Sequence, residues 1–290
     1  MTRLAGQRVV ITGMAGGIGG AAANALRARG ANVTGIDLRA ADGVFAADVR
    51  DRQQLDAAMD AAATHLGGID ILITCAGIGR AQDSGDFPTE GSRLVLEINL
   101  LGTWNSVAAA LPHLLRARGH VVTIASALAA VSAPWAAAYA ASKRGVAAYS
   151  DALRIEYAGR LTVTTVYPGY IRTAIHDVVN RQGATMEGTV RPDTLEQAAG
   201  AIVRACARRP RGVATSSRTA VGVWFGRHLP ALADAVIRRG MMRARATRPL
   251  PSFVRVDEPR IITPQPEPDG DHPMASPVAT PSPTVEETKA

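Results

Sequence analysis

Arg8-Val9-Val10-Ile11-Thr12 runs directly into Gly13-Met14-Ala15-Gly16-Gly17-Ile18-Gly19, and an alanine-rich stretch follows. The first five residues are mostly β-branched and apolar, as in a strand buried on both faces. The next seven hold four glycines, and the alanines after them favour a helix. Glycines between a strand and a helix let the chain turn tightly and let its backbone approach a bulky anion. The helix start then offers free N–H groups and a positive dipole end. Glycine-rich turns are common, so the position between the first strand and the first helix carries the meaning: it predicts a pyrophosphate-binding turn.

Outward from this turn, short β-rich runs alternate with helix-prone stretches through residue 215. Strands are predicted at 8–12, 32–37, 44–47, 69–74, 119–125, 161–167 and 212–215. Helices are predicted near 18–29, 51–65, 91–117, 135–158 and 193–208. Such alternation implies an α/β fold with a parallel sheet covered by helices on both faces. Asp37 ends the second strand. An acidic side chain there accepts hydrogen bonds from the adenosine ribose and repels a 2′-phosphate, which favours NAD over NADP. Arg39, two residues on, works against that preference.

Composition narrows the class. Hydrophobic residues make up 47% of the 290 and aromatic residues only 4%, so aliphatic side chains must build the core. Two cysteines, Cys75 and Cys206, are too few and too far apart for a disulfide scaffold. They fit a reducing compartment, and a cytoplasmic location is expected. No basic leader followed by an apolar run opens the chain, and no uncharged apolar stretch of about 18 residues predicts a membrane span. None of the six histidines has metal-ligand spacing with a cysteine or another histidine.

Tyr139-Ala-Ala-Ser-Lys143 is the second signal. Residues four apart share a helix face, and an ammonium beside a phenol favours the phenolate. The pair is thereby a candidate acid/base. The glycine turn and this motif, at these positions in the alternation, resemble the short-chain dehydrogenase/reductase family over roughly residues 5–215. The resemblance implies a Rossmann-type doubly wound sheet in one domain and hydride transfer between a nicotinamide cofactor and an alcohol or carbonyl. It implies cofactor contacts at Gly13, Gly17, Ile18, Gly19, Asp37, Asp48, Val49, Ala76, Gly77, Pro168, Gly169, Ile171 and Thr173. Ala76-Gly77 follows Thr74 and Cys75, where the family usually has two asparagines.

The same resemblance assigns catalytic roles. Tyr139 exchanges the proton with the substrate oxygen, and Ser126 orients that oxygen. Lys143 binds the nicotinamide ribose and lowers the Tyr139 pKa. Asn99 holds a water leading from Lys143 to solvent. It further implies a small-molecule substrate and a dimer or tetramer, with about 170–195 as a substrate lid. Apolar residues in that lid predict a hydrophobic or lipid-like alcohol. Two rival readings stay open: an NADPH-dependent carbonyl reductase, and a dinucleotide-sensing protein without turnover. Trp135, just before Tyr139, is either a packing residue or a substrate contact.

Residues 216–248 lie outside the resemblance and hold seven arginines and one aspartate. Around and beyond Pro230, Leu229, Leu232, Ala233, Val236 and Ile237, continuing to Met241, form one stripe of a basic amphipathic helix. It reads either as packing on the domain or on a second subunit, or as peripheral contact with an anionic membrane. No nucleic-acid motif accompanies the charge, and no nucleic-acid partner is expected. Residues 249–290, rich in Pro, Ser, Thr and acidic residues, predict a disordered tail.

Overall fold

The computed structural model describes residues 4–184, 190–245, 251, 253 and 254. Seven strands form one parallel sheet: β1 (Arg8–Thr12), β2 (Asn32–Asp37), β3 (Val44–Ala46), β4 (Ile71–Thr74), β5 (His120–Ile124), β6 (Thr162–Tyr167) and β7 (Gly212–Ala214). Their order is β3-β2-β1-β4-β5-β6-β7. The chain winds outward one way from β1 and then returns to start the other half at β4. A crevice therefore opens at the carboxyl ends of β1 and β4, where Thr12 is in register with Thr74. This is where doubly wound sheets take their ligands.

Alternation along the strands divides the core. Val9, Ile11 and Ile73 face one side, against Leu26 of α1 (Gly17–Arg27) and Ile202 of α7 (Leu195–Arg208). Val10, Leu72 and Val121 face the other, against Met59 of α2 (Arg52–Leu66) and Leu114 of α4 (Gly102–Ala117). All ten are essentially inaccessible to solvent. Each large side chain removed from water contributes about 1.5–3 kcal/mol, which explains why the uncharged strands could be read directly. Polar ends fix the helix boundaries. Asp51 accepts from the Gln54 amide at the start of α2, and Thr194 and Gln197 form a reciprocal cap on α7.

The predicted helix near 91–117 is in fact three pieces: α3 (Glu90–Leu96), a π-helical turn (Glu97–Leu101) and α4. Together Glu90–Ala117 is long and apolar enough to cross a membrane by length and composition. It lies instead against the sheet, with Val95, Val107, Ala110 and Leu114 buried. α5 (Ala137–Glu156) carries the Tyr139 motif.

Two helices were not anticipated. α6 (Ala174–Arg181) lies in the predicted lid, and α8 (Ser217–His228) precedes Pro230. The apolar residues of α8 fall on all its sides, which leaves no stripe to read. α8 is part of the domain: a Cβ on Gly226 would stand 2.3 Å from Val131. α9 (Pro230–Arg245) is the helix predicted after Pro230. Its stripe is split: Ala233 is buried and Ile237 half-buried, whereas Leu229, Leu232 and Val236 are exposed. Within the predicted tail, Pro251 is buried and Phe253 and Val254 are half-buried. Their apolar side chains find the domain surface. Residues 249, 250, 252 and 255–290 of the predicted tail lie outside the described residues.

His120 on β5 is fully buried. The Thr164 hydroxyl donates to the Pro210 carbonyl, so His120 Nε2 must donate to Thr164, 2.9 Å away. Nδ1 has no hydrogen-bond partner. Burial, with help from the Arg209 charge, holds this imidazole down to about 3. In the unfolded chain it titrates near 6.5. Between those values only the unfolded chain takes up the proton, so His120 makes stability fall as pH drops below 6.5. The expected loss from pH 7 to pH 5 is about 2 kcal/mol. His120→Gln keeps a donor toward Thr164 without the titration. Urea unfolding at the two pH values should show the loss reduced by about that amount; an undiminished loss would exclude His120 as its source.

Candidate active site

The glycine turn is shaped by one close approach. Gly13 has φ +73°, and a Cβ there would stand 2.6 Å from the Ala76 nitrogen. Only glycine lets β1 and the segment after β4 meet this closely. Gly19 is equally constrained, since its Cβ would fall 2.2 Å from the Gly13 carbonyl oxygen. The amides of Gly17, Ile18 and Gly19 open α1, in the turn where N–H groups lack intrahelical acceptors. This cradle of backbone donors beside a narrow cleft fits a pyrophosphate. At the end of β2, Asp37 accepts from the amides of Ala15 (2.9 Å) and Leu38 (2.8 Å). Its carboxylate is held beside the turn, with Arg39 exposed nearby.

Asp48 and Val49, expected at the adenine, are placed after β3. Arg50 holds the Asp48 carboxylate through its guanidinium and its own amide, and this keeps Asp48 below the usual carboxylate range. Val49 is buried against Gly102, and its carbonyl accepts from Asn105 Nδ2 at 3.0 Å.

The predicted catalytic side chains converge beyond the β4 end. Asn99 sits in the π turn, fully buried. Its Oδ1 accepts from the Ile78 amide (2.8 Å), and its Nδ2 donates to the Ile78 carbonyl (3.0 Å) and the Ser142 hydroxyl (3.1 Å). Ser142 in turn donates to the Tyr139 carbonyl. Sequence reasoning assigned Asn99 a water and overlooked Ser142. The structure gives the Asn99 side chain to the backbone after β4, and Ser142, three residues past Tyr139, completes the link to α5. A Cβ at Gly77 would lie 3.1 Å from Asn99 Oδ1 and 3.7 Å from Lys143 Nζ. Thr74 and Cys75 replace the family's two asparagines, and the strand end is braced by backbone: the Cys75 amide donates to the Thr12 carbonyl at 2.9 Å.

Lys143 is buried, and its Nζ donates to the Ile124 carbonyl at 2.9 Å. Burial lowers this ammonium to about 8. Ser126, at the end of β5, is buried and accepts from the Leu128 amide. The Tyr139 phenol is half-buried, with Lys143 Nζ 5.7 Å from its ring centre. Burial raises its pKa, and the Ser126 hydroxyl offsets part of the rise. This reverses the expectation of a Tyr139 lowered by Lys143. Desolvation of the phenol outweighs an ammonium whose hydrogen bond goes to a backbone carbonyl.

The β6 end forms the opposite wall. Pro168 accepts from the Ala127 amide, and the Gly169 amide donates to the Thr215 hydroxyl at 3.0 Å. Ile171 is buried and bridges to Asp193. Thr173 reaches the glycine turn: a Cβ on Gly17 would stand 3.1 Å from its methyl group. Asp193, absent from the sequence reading, anchors this wall. It accepts from Thr215, from Thr219 (2.7 Å) and from Arg218 (3.1 Å). Burial pushes its pKa up, but these donors outweigh it and hold the carboxylate below its ordinary range.

Tyr139 faces a cleft whose walls are largely aliphatic or aromatic, among them Leu128, Pro134, Trp135, Ile175 and Val179. Arg80, His176 and Asn180 stand at it as well. Trp135 adopts φ +60°, a left-handed conformation that is unusual for a bulky residue.

A family model described as short chain dehydrogenase matches residues 7–184. D-threitol dehydrogenase of Mycolicibacterium smegmatis is 35% identical over 190 residues, covering 60% of this chain and 73% of that protein. A short chain dehydrogenase from Mycobacterium paratuberculosis, solved bound to NAD, superposes with a TM-score of 0.66 at 26% identity, over 73% of this chain and 97% of that one. One from Burkholderia cenocepacia, solved in complex with NADP, gives 0.69 at 25% identity, over 82% and 98%. Because the family match runs from β1 to the lid helix α6, through the residues that build the cleft, the chain belongs to the short-chain dehydrogenases, nicotinamide-dependent oxidoreductases acting on CH–OH groups.

Proposed function

We propose that this enzyme is an NAD-preferring dehydrogenase of medium-sized or large apolar alcohols, with Tyr139 as its acid/base. The apolar cleft in front of the Tyr139 hydroxyl carries the reading. When bound, the nicotinamide supplies or accepts the hydride. Tyr139 exchanges the hydroxyl proton of the alcohol, and Ser126 hydrogen-bonds the same oxygen. Lys143 binds the ribose, and Asn99 keeps the Gly77–Ile78 segment and α5 in register. Gly13, Gly17, Ile18 and Gly19 hold the pyrophosphate. Asp48, Val49, Ala76 and Gly77 border the adenosine half, and Pro168, Gly169, Ile171 and Thr173 the nicotinamide half. With its pKa raised, Tyr139 carries its proton at neutral pH, which suits donation to a carbonyl. The oxidative direction needs nearby positive charge to release that proton, and Lys143 is the side chain placed to provide it.

A second reading is a small polyol substrate, favoured by the D-threitol relative and by Arg80, His176 and Asn180 at the cleft. A polyol needs a partner for each buried hydroxyl, and the mostly apolar walls favour the first. Tyr139→Phe should reduce alcohol oxidation to below about one per cent while leaving the NADH dissociation constant within about twofold, measured by fluorescence titration. Retention of more than a few per cent of activity would exclude Tyr139 as acid/base. A wild-type protein that binds NADH yet oxidises neither apolar alcohols nor polyols would point to the dinucleotide sensor.

NAD preference rests on Asp37, pinned by two amides where a 2′-phosphate would meet its charge. The expected discrimination is at least tenfold, about 1.4 kcal/mol, and Asp37→Ala should narrow it. Equal dissociation constants for NADH and NADPH would instead favour the carbonyl-reductase reading.

Exposed apolar groups mark the partner surfaces. Leu101, Trp104 and Ile155 on the α4–α5 side are of this kind, with Trp104 stacked on Tyr149 at 4.6 Å. They support a homo-oligomer formed through these helices. On α9, exposed Leu232 and Val236 adjoin Arg239 and Arg243, which supports peripheral contact of the 216–248 extension with anionic lipid. Because α8 belongs to the domain, the test leaves the chain whole. The protein should float with phosphatidylserine-containing vesicles at low salt and be released at high salt. A Leu232→Asp, Val236→Asp variant should stay in solution. Equal behaviour of the two would assign this face to a subunit contact.

A further inference from the structure

The chain returns from α9 to the substrate cleft. A turn closed by the Val254 amide on the Pro251 carbonyl (2.9 Å) presents Phe253 to Trp135, with ring centres 6.3 Å apart and planes at 83°. This edge-to-face arrangement is favourable for aromatic rings. Pro251 presses on the segment after α6: a Cβ on Gly183 would stand 3.3 Å from its Cα.

Two further contacts close a ring that includes Trp135. The Gln82 amide donates to the Trp135 carbonyl at 3.0 Å, and the Ala81 amide donates to Gln182 Oε1 at 3.0 Å. Going round, 81–82 holds 135, 135 meets 253, 251 meets 183, and 182 returns to 81. Four segments far apart in sequence form a collar, and Trp135 is its member that lines the cleft. The Trp135 backbone is in a left-handed conformation that persists only where surroundings enforce it. Phe253 and the Gln82 bond are two such enforcers.

We infer that Phe253 is a specificity-determining residue, fixing Trp135 in the wall of the substrate cleft and thereby selecting alcohols with an apolar body that packs on the indole. The inference builds on the proposed dehydrogenase activity but has a readout independent of it. A short secondary alcohol presents little carbon chain to the indole. A longer one stacks its carbon chain on Trp135, so its affinity depends on the indole being held.

The test compares the full chain with Phe253→Ala and Phe253→Tyr, saturated with NAD, on 2-butanol, 2-hexanol and 2-octanol. Phe253→Ala should raise KM for 2-octanol about tenfold, change KM for 2-butanol less than twofold and leave kcat within twofold. Phe253→Tyr should restore the wild-type pattern. A change in KM equal for all three alcohols, or none, overturns the assignment. Should no alcohol be oxidised, the proposed activity fails, and binding decides the inference separately. In a Trp104→Phe, Trp224→Phe background, where Trp135 is the remaining indole, 2-octanol should quench the fluorescence. Adding Phe253→Ala should red-shift the emission and weaken the quenching about tenfold. Unaltered emission and quenching would refute a role for Phe253 at the wall.

Discussion

A buried ammonium sets the terms for the site. Lys143 is nearly sealed from solvent, and burying a charge without partners is among the costlier acts in a fold. The β5 end answers by offering the Ile124 carbonyl, and the chain after β4 approaches without side chains, at Gly77, so that backbone surrounds Nζ. The depression of Lys143 to about 8 measures how incompletely this offsets the loss of water. A charge held under such strain gains from any acceptor that arrives, and ribose hydroxyls are acceptors of that kind. The same desolvation raises the Tyr139 phenol, so one apolar enclosure shifts both members of the pair.

That enclosure depends on a fault in a helix. The π turn at Glu97–Leu101 interrupts what would otherwise be one helix from 90 to 117. Such turns often mark functional sites. Here the turn carries Asn99 at the point where its amide can satisfy both backbone groups of Ile78 and still reach Ser142. The α3–α4 helix, the segment after β4 and α5 are thus tied by one side chain that has no exposure to water. A half-satisfied network at this depth would be worse than an apolar one, and the link through Ser142 to the Tyr139 carbonyl completes it.

The parts legible in the sequence were those with a local physical signature. The central strands could be read because burial on both faces demands uninterrupted apolar runs such as Ile71–Thr74. The glycine turn could be read because a close backbone approach admits no side chain at Gly13. Tyr139 and Lys143 could be read from a helical spacing. Other features depend on tertiary contacts. α8 has no apolar stripe, because it buries small residues such as Gly226 instead. Asp193 looks like any loop aspartate until Thr215 and Thr219 are brought to it from beyond β7. The direction of the Tyr139 shift could not be read from a four-residue spacing, since burial, which decides it, is a property of the whole cleft. Phe253 stood in a Pro-rich stretch whose composition argues for disorder, and composition averages over the one aromatic anchor that matters.

Asp193 and the collar lead to a common consequence. Asp193 fastens the lid's return to the β7–α8 turn, while Phe253 and Pro251 fasten the chain after α9 to the lid and to Trp135. The lid is therefore held at Gly183 and at Asp193 by residues that lie past it in the sequence. α6 itself buries little: none of its residues is fully buried, so its position depends on contacts at its edges, such as Gly79 with Ile175 and Val179, Ala81 with Gln182, and Pro251 with Gly183. Hydride transfer tolerates little misplacement of the substrate carbon, and a lid without a core of its own cannot supply that precision. Thr215, Thr219 and Pro251, beyond the span that matches the family, add contacts that hold it. The segments from β1 to α5 carry Asn99, Ser126, Tyr139 and Lys143, and the chain beyond α5 adds Ile175 and Val179 to the cleft that Tyr139 faces.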